Sequence, residues 1–254
     1  MIAYKIPPGR DGILCALFES FTAKEKPVAV FCGHYQEAFD CRVKIIKVLQ
    51  KNAERVRNGL LKCGGISLLS KLFYVLRSGD DIKESVIFNA AYACLAARKD
   101  LTENYADPNM LALYELSSKI SFEAHRMKGF LRFQKTVSGV WYGHFTPDNN
   151  VIDLIAPHFQ KRFPKEMFVI HDLSRRLVTL YDGKSIVTAE APENTTIFLG
   201  EDEVELQNLW RTYFDAVTLE GRDKRKIQDG FLPKRYRTNM DEFLCRDRFF
   251  DNVC

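Results

Sequence analysis

The strongest constraint on this chain's fold is a change of hydrophobic period at Gly129. Before it, apolar residues recur every three to four positions. Ile13, Leu14, Leu17, Phe18 and Phe21 form one such stripe, and Ile45, Ile46, Leu49, Ala53, Val56 and Leu60 a second. Ile82, Val86, Ile87, Ala90, Ala91 and Cys94 form a third. After Gly129 they alternate over 130–137, 140–145, 167–171, 176–181 and 186–191. A repeat near 3.6 buries one face of a helix and a repeat of 2 buries one face of a strand, so the chain divides into a helical part and a sheet-bearing part.

Punctuation supports the division. Cys63-Gly64-Gly65 and Ser78-Gly79 end helices, and Asp80 or Asp81 caps the next. Asp107-Pro108 places an acidic cap before a proline at the first helical position, predicting a helix to about Met127. Val137-Ser138-Gly139 and Asp182-Gly183 suit tight turns between strands. Further helices are expected over 151–163 and after Glu201-Asp202-Glu203, where Leu206, Leu209, Trp210, Tyr213, Phe214 and Val217 make an amphipathic stripe. Ile2–Ile6 and Val28–Cys32 are short strand candidates. The expected fold class is α+β: a mostly helical N-terminal domain over 1–106, then an α+β domain over 107–254. The second domain has an antiparallel sheet in the order ββαβββα, covered by two helices, and a basic C-terminal tail.

Hydrophobic residues make up 46% of the chain and charged ones 28%, enough apolar matter for a substantial core. No run approaches eighteen apolar residues, and MIAYKIPPGRDG lacks the layout of a signal peptide, so no membrane partner is expected. The cysteines (15, 32, 41, 63, 94, 245 and 254) are odd in number and contain no C-x-x-C pair, which fits a reduced, cytoplasmic setting. Zinc and iron–sulfur spacings are missing, and no Gly-rich phosphate loop, G-x-S-x-G or H-E-x-x-H occurs. His144, Asp148, Asp153 and His158 match no metal template, and Asp148 reads as the cap of the helix at 151. His171 and Asp172 are strand neighbours pointing to opposite faces, so Asp172 reads as a turn residue. No metal, cofactor or catalytic residue is expected.

Charge is the positive signal. The window 222–237 holds seven Lys/Arg against two Asp, a surplus above the net +4 of the whole chain. Phe231 and Tyr236 sit among these cations. Such a segment fits a phosphate-bearing partner, with cations neutralising phosphates and aromatic rings stacking on bases. Lys128 and Arg132, in EAHRMKGFLRF at the junction of helix and first strand, extend the set. The expected nucleic-acid contacts are Lys128, Arg132, Arg222, Arg225, Lys234, Arg235 and Tyr236.

The segments GILCALFESFTAKEKP, EAHRMKGFLRF, PDNNVIDLIAPHFQKRFP, IHDLSRRLVTLYDG, LWRTYFDAVTLEGR and LPKRYR, in this order, resemble a bacterial family described as probable DNA-metabolism proteins. Its members accompany a radical-SAM DNA repair or modification protein, and some are fused to a uracil-DNA glycosylase-like domain. The family usually carries Trp after Pro-Lys-Arg-Tyr, where this chain has Arg237, and Leu-Pro-Glu soon afterwards, where it has Asn239-Met240-Asp241-Glu242. Neither the glycosylase motifs nor a C-x-x-x-C-x-x-C site occurs here. The resemblance implies an accessory DNA-binding or scaffolding protein that works with a radical-SAM partner. The alternative is an enzyme acting on a nucleobase or nucleotide in a cleft between the halves, using Glu123, His125, His144, Asp148 and His158. A third reading is a protein-binding adaptor whose tail docks on an acidic surface.

Overall fold

The computed structural model describes residues 1–33, 41–192, 198–200, 202–217, 230–240 and 243, with side chains throughout except at 204, 211 and 213–217. The fold is α+β, as its sequence periods require. Two compact units are present, Met1–Ser121 and Phe122–Cys254.

The first unit is built on a three-stranded sheet of β1 (Ile2–Lys5), β2 (Ala29–Phe31) and β3 (Arg42–Ile45), in the order β2-β1-β3 with both pairings parallel. Parallel neighbours need a crossover, and helix α1 (Arg10–Ala23) supplies it between β1 and β2. Adjacent residues Ala3 and Tyr4 are both fully buried, as expected of a central strand covered on both faces. The third strand is not legible in the sequence, because its short Arg42–Ile45 stretch has too few residues to declare a period of two, and the stripe that reads as helical from Ile45 starts on its last residue, five positions before α2 (Gln50–Tyr74).

Helix α2 (Gln50–Tyr74) is kinked at Gly65, where φ is 67° and ψ −160°, a conformation open essentially to glycine alone. The double-glycine break expected at 63–65 is therefore a change of direction between two helical segments. A 3-10 turn, Val75–Arg77, extends the helix. Gln50–Arg77 has the length and apolar content of a membrane span, a property that counting uninterrupted apolar runs does not detect. Leu60, Leu68, Leu72 and Phe73 of this segment are buried in the first unit's core.

Helix α3 (Lys83–Ala97) follows, with Asp80 Oδ1 accepting the Ile82 N–H just ahead of it. Ser85 Oγ accepts the Val30 N–H and donates to the Val30 carbonyl, both at 2.8 Å, which closes the edge of β2. Helix α4 (Pro108–Phe130) is capped by Asp107 Oδ1, which accepts the Asn109 N–H at 2.8 Å. Its early residues Met110, Leu113 and Leu116 join the first core. The two units divide inside this helix, whereas sequence punctuation placed the boundary at 106/107, before it.

The second unit carries a five-stranded sheet of β4 (Phe133–Lys135), β5 (Trp141–Phe145), β6 (Phe168–Asp172), β7 (Leu177–Tyr181) and β8 (Ile186–Glu190), in sequential order. It is mixed rather than antiparallel. β5 and β6 run parallel, paired Trp141↔Phe168 through Phe145↔Asp172, because helix α5 (Ile152–Arg162) crosses over between them. The other three pairings are antiparallel. Both expected turns occur: Gly139 (φ 78°) closes 136–140, and Asp182 Oδ1 accepts the Lys184 and Ser185 N–H groups beside Gly183 (φ 88°). Asp172 Oδ1 accepts the Ser174 and Arg175 N–H groups, the turn role read from sequence. Helices α6 (Glu203–Val217) and α7 (Lys234–Arg237) complete the described elements.

Candidate nucleic-acid interface

Two features of the second unit share the end of α4. The first is a buried anchor. Glu123 projects inward from α4 and is 5% exposed. Its Oε1 accepts the Asp148 N–H (2.8 Å) and the Tyr236 hydroxyl (2.7 Å), while Oε2 accepts the Asn149 N–H (2.8 Å) and Asn149 Nδ2 (2.6 Å). A buried carboxylate is tolerated when donors surround it, and four do so here. Tyr236 is itself buried at 4%, and its hydroxyl pKa is pushed well above the ordinary value by burial and then by the bond to Glu123. Arg235 lies over the Tyr236 ring and pairs with Asp148 at 2.6 Å. Arg126 donates to the Phe231 carbonyl and approaches the rings of Phe122, Phe130 and Tyr236. Arg237 is buried too, donating to the Leu232 carbonyl and lying against Phe243. The 230–240 segment is therefore pinned to the end of α4.

This corrects three expectations. Tyr236 cannot stack on a base, because its ring is enclosed and its hydroxyl is committed to Glu123. Arg235 is neutralised by a carboxylate of its own fold. Asp148 does not cap α5, whose first turn has no side-chain cap; it faces Arg235 instead. Of the remaining tail cations, Lys234 is exposed at the start of α7, and Arg222 and Arg225 lie outside the described residues.

The second feature is a cavity of about 710 Å³ bounded by the end of α4, strands β4 to β6, α5 and α6. Its walls are aromatic: Phe133, Trp141, Phe159, Phe163, Phe168 and Trp210. Register explains the grouping, since Phe133, Trp141 and Phe168 lie on one face of neighbouring strands and α5 crosses that face. Phe133 meets Phe159, Phe163 and Phe168 edge-on, at centroid distances of 5.0, 5.9 and 5.8 Å. Three cations, Lys128, Arg132 and Arg162, line the same cavity together with two carboxylates, Glu166 and Glu203, which leaves a surplus of one positive charge. Arg132 Nη1 also donates to the Gly129 carbonyl at 2.8 Å, capping α4 three residues beyond its expected end. Glu166 accepts Trp141 Nε1–H at 3.2 Å and fixes that ring. Glu203, 6% exposed, accepts the Lys135 N–H on the outer edge of β4 and so ties α6 to the sheet.

Lys128 and Arg132, close together in sequence at the helix end, both line this cavity, with aromatic partners the sequence did not identify. Trp210 reads from sequence as part of a core stripe, yet it is 41% exposed at the cavity, with Leu206 at 51%. The residues of the alternative enzyme site do not share this cavity. Glu123 and Asp148 belong to the anchor. His125 is exposed on α4, and His144 stacks on Tyr142 in β5. His158 meets Phe159 edge-on, its pKa lowered by burial and by Lys128 and Arg162. No group of three His, Cys, Asp or Glu side chains among the described residues is arranged to hold a metal.

No curated protein matches the chain. Among solved structures it is similar to a pGpG-specific phosphodiesterase from Vibrio cholerae, at 9% identity and a TM-score of 0.31, over 85% of this chain and 99% of that one. That likeness is too low to support any statement about fold or activity. A family profile matches residues 81–242, well over half of the chain and including the anchor and the cavity, so the protein belongs to the family described as a domain of unknown function, DUF4130.

Proposed function

We propose that this protein is an accessory DNA-binding subunit whose C-terminal unit receives an unpaired base in the aromatic cavity, with Lys128 and Arg162 on the flanking phosphates. The supporting observation is the coincidence of aromatic walls and three cations in one cavity of about 710 Å³. Rings offer stacking surfaces to any base, and cations at the margin supply affinity for the backbone; together they are the ingredients of single-strand binding. A base stacked inside a duplex cannot reach such walls, so single strands bind better than duplexes. The role beside a radical-SAM enzyme rests on the sequence resemblance alone.

Fluorescence anisotropy with labelled single- and double-stranded oligonucleotides at two salt concentrations tests the reading. Trp210→Ala removes a stacking surface worth about 1–3 kcal/mol per base, roughly 5- to 150-fold in affinity. Lys128→Gln lowers the salt slope by about 0.7, one single-strand phosphate contact. Lack of binding at low salt, or both variants binding like the parent, overturns the assignment.

A further inference from the structure

The C-terminal window is not the only cationic segment. Residues 42–62, RVKIIKVLQKNAERVRNGLLK, carry seven Lys/Arg and one Glu, a local surplus greater than that of 222–237. This segment lies wholly within the described first unit.

Its placement is ordered. On α2, Ala53, Val56 and Leu60 are buried. Lys51, Arg55, Asn58 and Lys62 follow the spacing i, i+4, i+7 and i+11 on the opposite face, and all four are exposed. At about 1.5 Å rise per residue the row extends for roughly 16 Å. Arg42 and Lys47 are exposed just before it. Among the described residues no carboxylate lies within ion-pair distance of Arg42, Lys47, Lys51, Arg55 or Lys62. Glu54, the segment's one acid, accepts from Gln50 Nε2, and Lys44 is neutralised by Glu19 at 2.6 Å. Moreover, Lys47 and Lys51 crowd the positive end of the α2 macrodipole, whose first turn contains no acidic residue. A linear polyanion laid along the helix relieves both repulsions.

We infer that the exposed row Lys51, Arg55 and Lys62 on α2 is a second polynucleotide-binding surface, which tracks the phosphate backbone without reading bases. The inference rests on the function proposed above for the choice of partner, and it concerns a different unit and different residues. Arg55 rests over the Phe18 ring at 5.8 Å, but the row has no aromatic walls to enclose a base, so its contribution is insensitive to sequence and strongly sensitive to salt.

The test uses the full chain carrying Lys51→Gln, Arg55→Gln and Lys62→Gln, beside a control with the same charge change elsewhere, Lys99→Gln, Lys119→Gln and Lys184→Gln. With a labelled single-stranded oligonucleotide, three lost contacts at about 0.7 each reduce the salt slope by about 2, and the control changes it by less than about 0.5. Far-UV circular dichroism verifies that both variants are folded, as expected for exposed side chains. If the parent binds and the two triple variants behave alike, the second surface is refuted while the cavity reading stands. If the parent binds no oligonucleotide at any salt, both are refuted. Exposed Ile45 and Leu49 flank the row, so vesicles containing phosphatidylserine are the second probe. Vesicle binding that needs these cations, with oligonucleotide binding unaffected by their loss, reassigns the surface and overturns the inference.

Discussion

Tyr236→Phe removes the hydroxyl that ties the C-terminal segment to Glu123, together with the bond it accepts from Arg235 Nη2 at 3.1 Å and its longer contact to Asp148 Oδ2 at 3.4 Å. The substitution leaves the buried ring in place and removes one hydroxyl. Glu123 then keeps three of its four donors, from Asp148 N–H, Asn149 N–H and Asn149 Nδ2. A hydrogen bond to a buried charged group contributes about 1.5–3 kcal/mol, so the loss should be near 2 kcal/mol. The adjacent Arg235–Asp148 pair has side chains 57% and 55% exposed, and such pairs contribute about 0–1 kcal/mol. Arg235→Gln should therefore cost clearly less. Both tryptophans of the chain, Trp141 and Trp210, belong to the second unit, so their fluorescence in urea reports that unit's unfolding. With a slope of about 2 kcal/mol per M, Tyr236→Phe lowers the midpoint by about 1 M. A shift below about 0.3 M, or a larger one for Arg235→Gln, would falsify the claim that the Glu123–Tyr236 bond holds the segment.

Two further outcomes follow from buried or strained groups. His171 is held neutral because burial lowers its pKa, against an opposing pull from Asp172, and its Nδ1 lies 2.9 Å from the Tyr142 hydroxyl. The unfolded chain takes up the proton first, so this stability is complete above the ordinary value near 6.5 and is lost as pH falls through it toward the folded value. His171→Gln should flatten the decline in urea midpoint between pH 7.5 and 5.5; an unchanged decline rejects the attribution. Gly65→Ala should destabilise the first unit by about 1–3 kcal/mol through backbone strain alone, since a Cβ there meets nothing within 4 Å. Thermal unfolding followed by circular dichroism measures it, and a neutral result would mean that α2 can straighten.

The elements that sequence announced are those whose physics is local. Asp107-Pro108 starts α4, Gly139 and Asp182-Gly183 turn the hairpins, and Gly64-Gly65 interrupts α2, because caps, positive φ angles and the loss of Cβ act within a few residues. Alternation likewise identified all five strands of the second sheet. Pairing direction was not legible, since one crossing helix between β5 and β6 decides it. Nor was β3, whose four residues are a strand only because β1 lies beside them.

The site divides along the same line. That Lys128 and Arg132 are cations at a helix end is written in EAHRMKGFLRF, as is the surplus charge of the tail. Whether a charge faces water or a partner inside the fold is not written there. Tyr236 and Arg235 became an anchor because Glu123 and Asp148, about a hundred residues earlier in the chain, lie within hydrogen-bonding reach. The aromatic cavity arose because α5 and α6 bring Phe159, Phe163 and Trp210 to the face that holds Phe133, Trp141 and Phe168. Sequence determined residue chemistry and local backbone geometry, which depend on neighbours along the chain. Tertiary structure decided burial and partnership, which depend on neighbours in space.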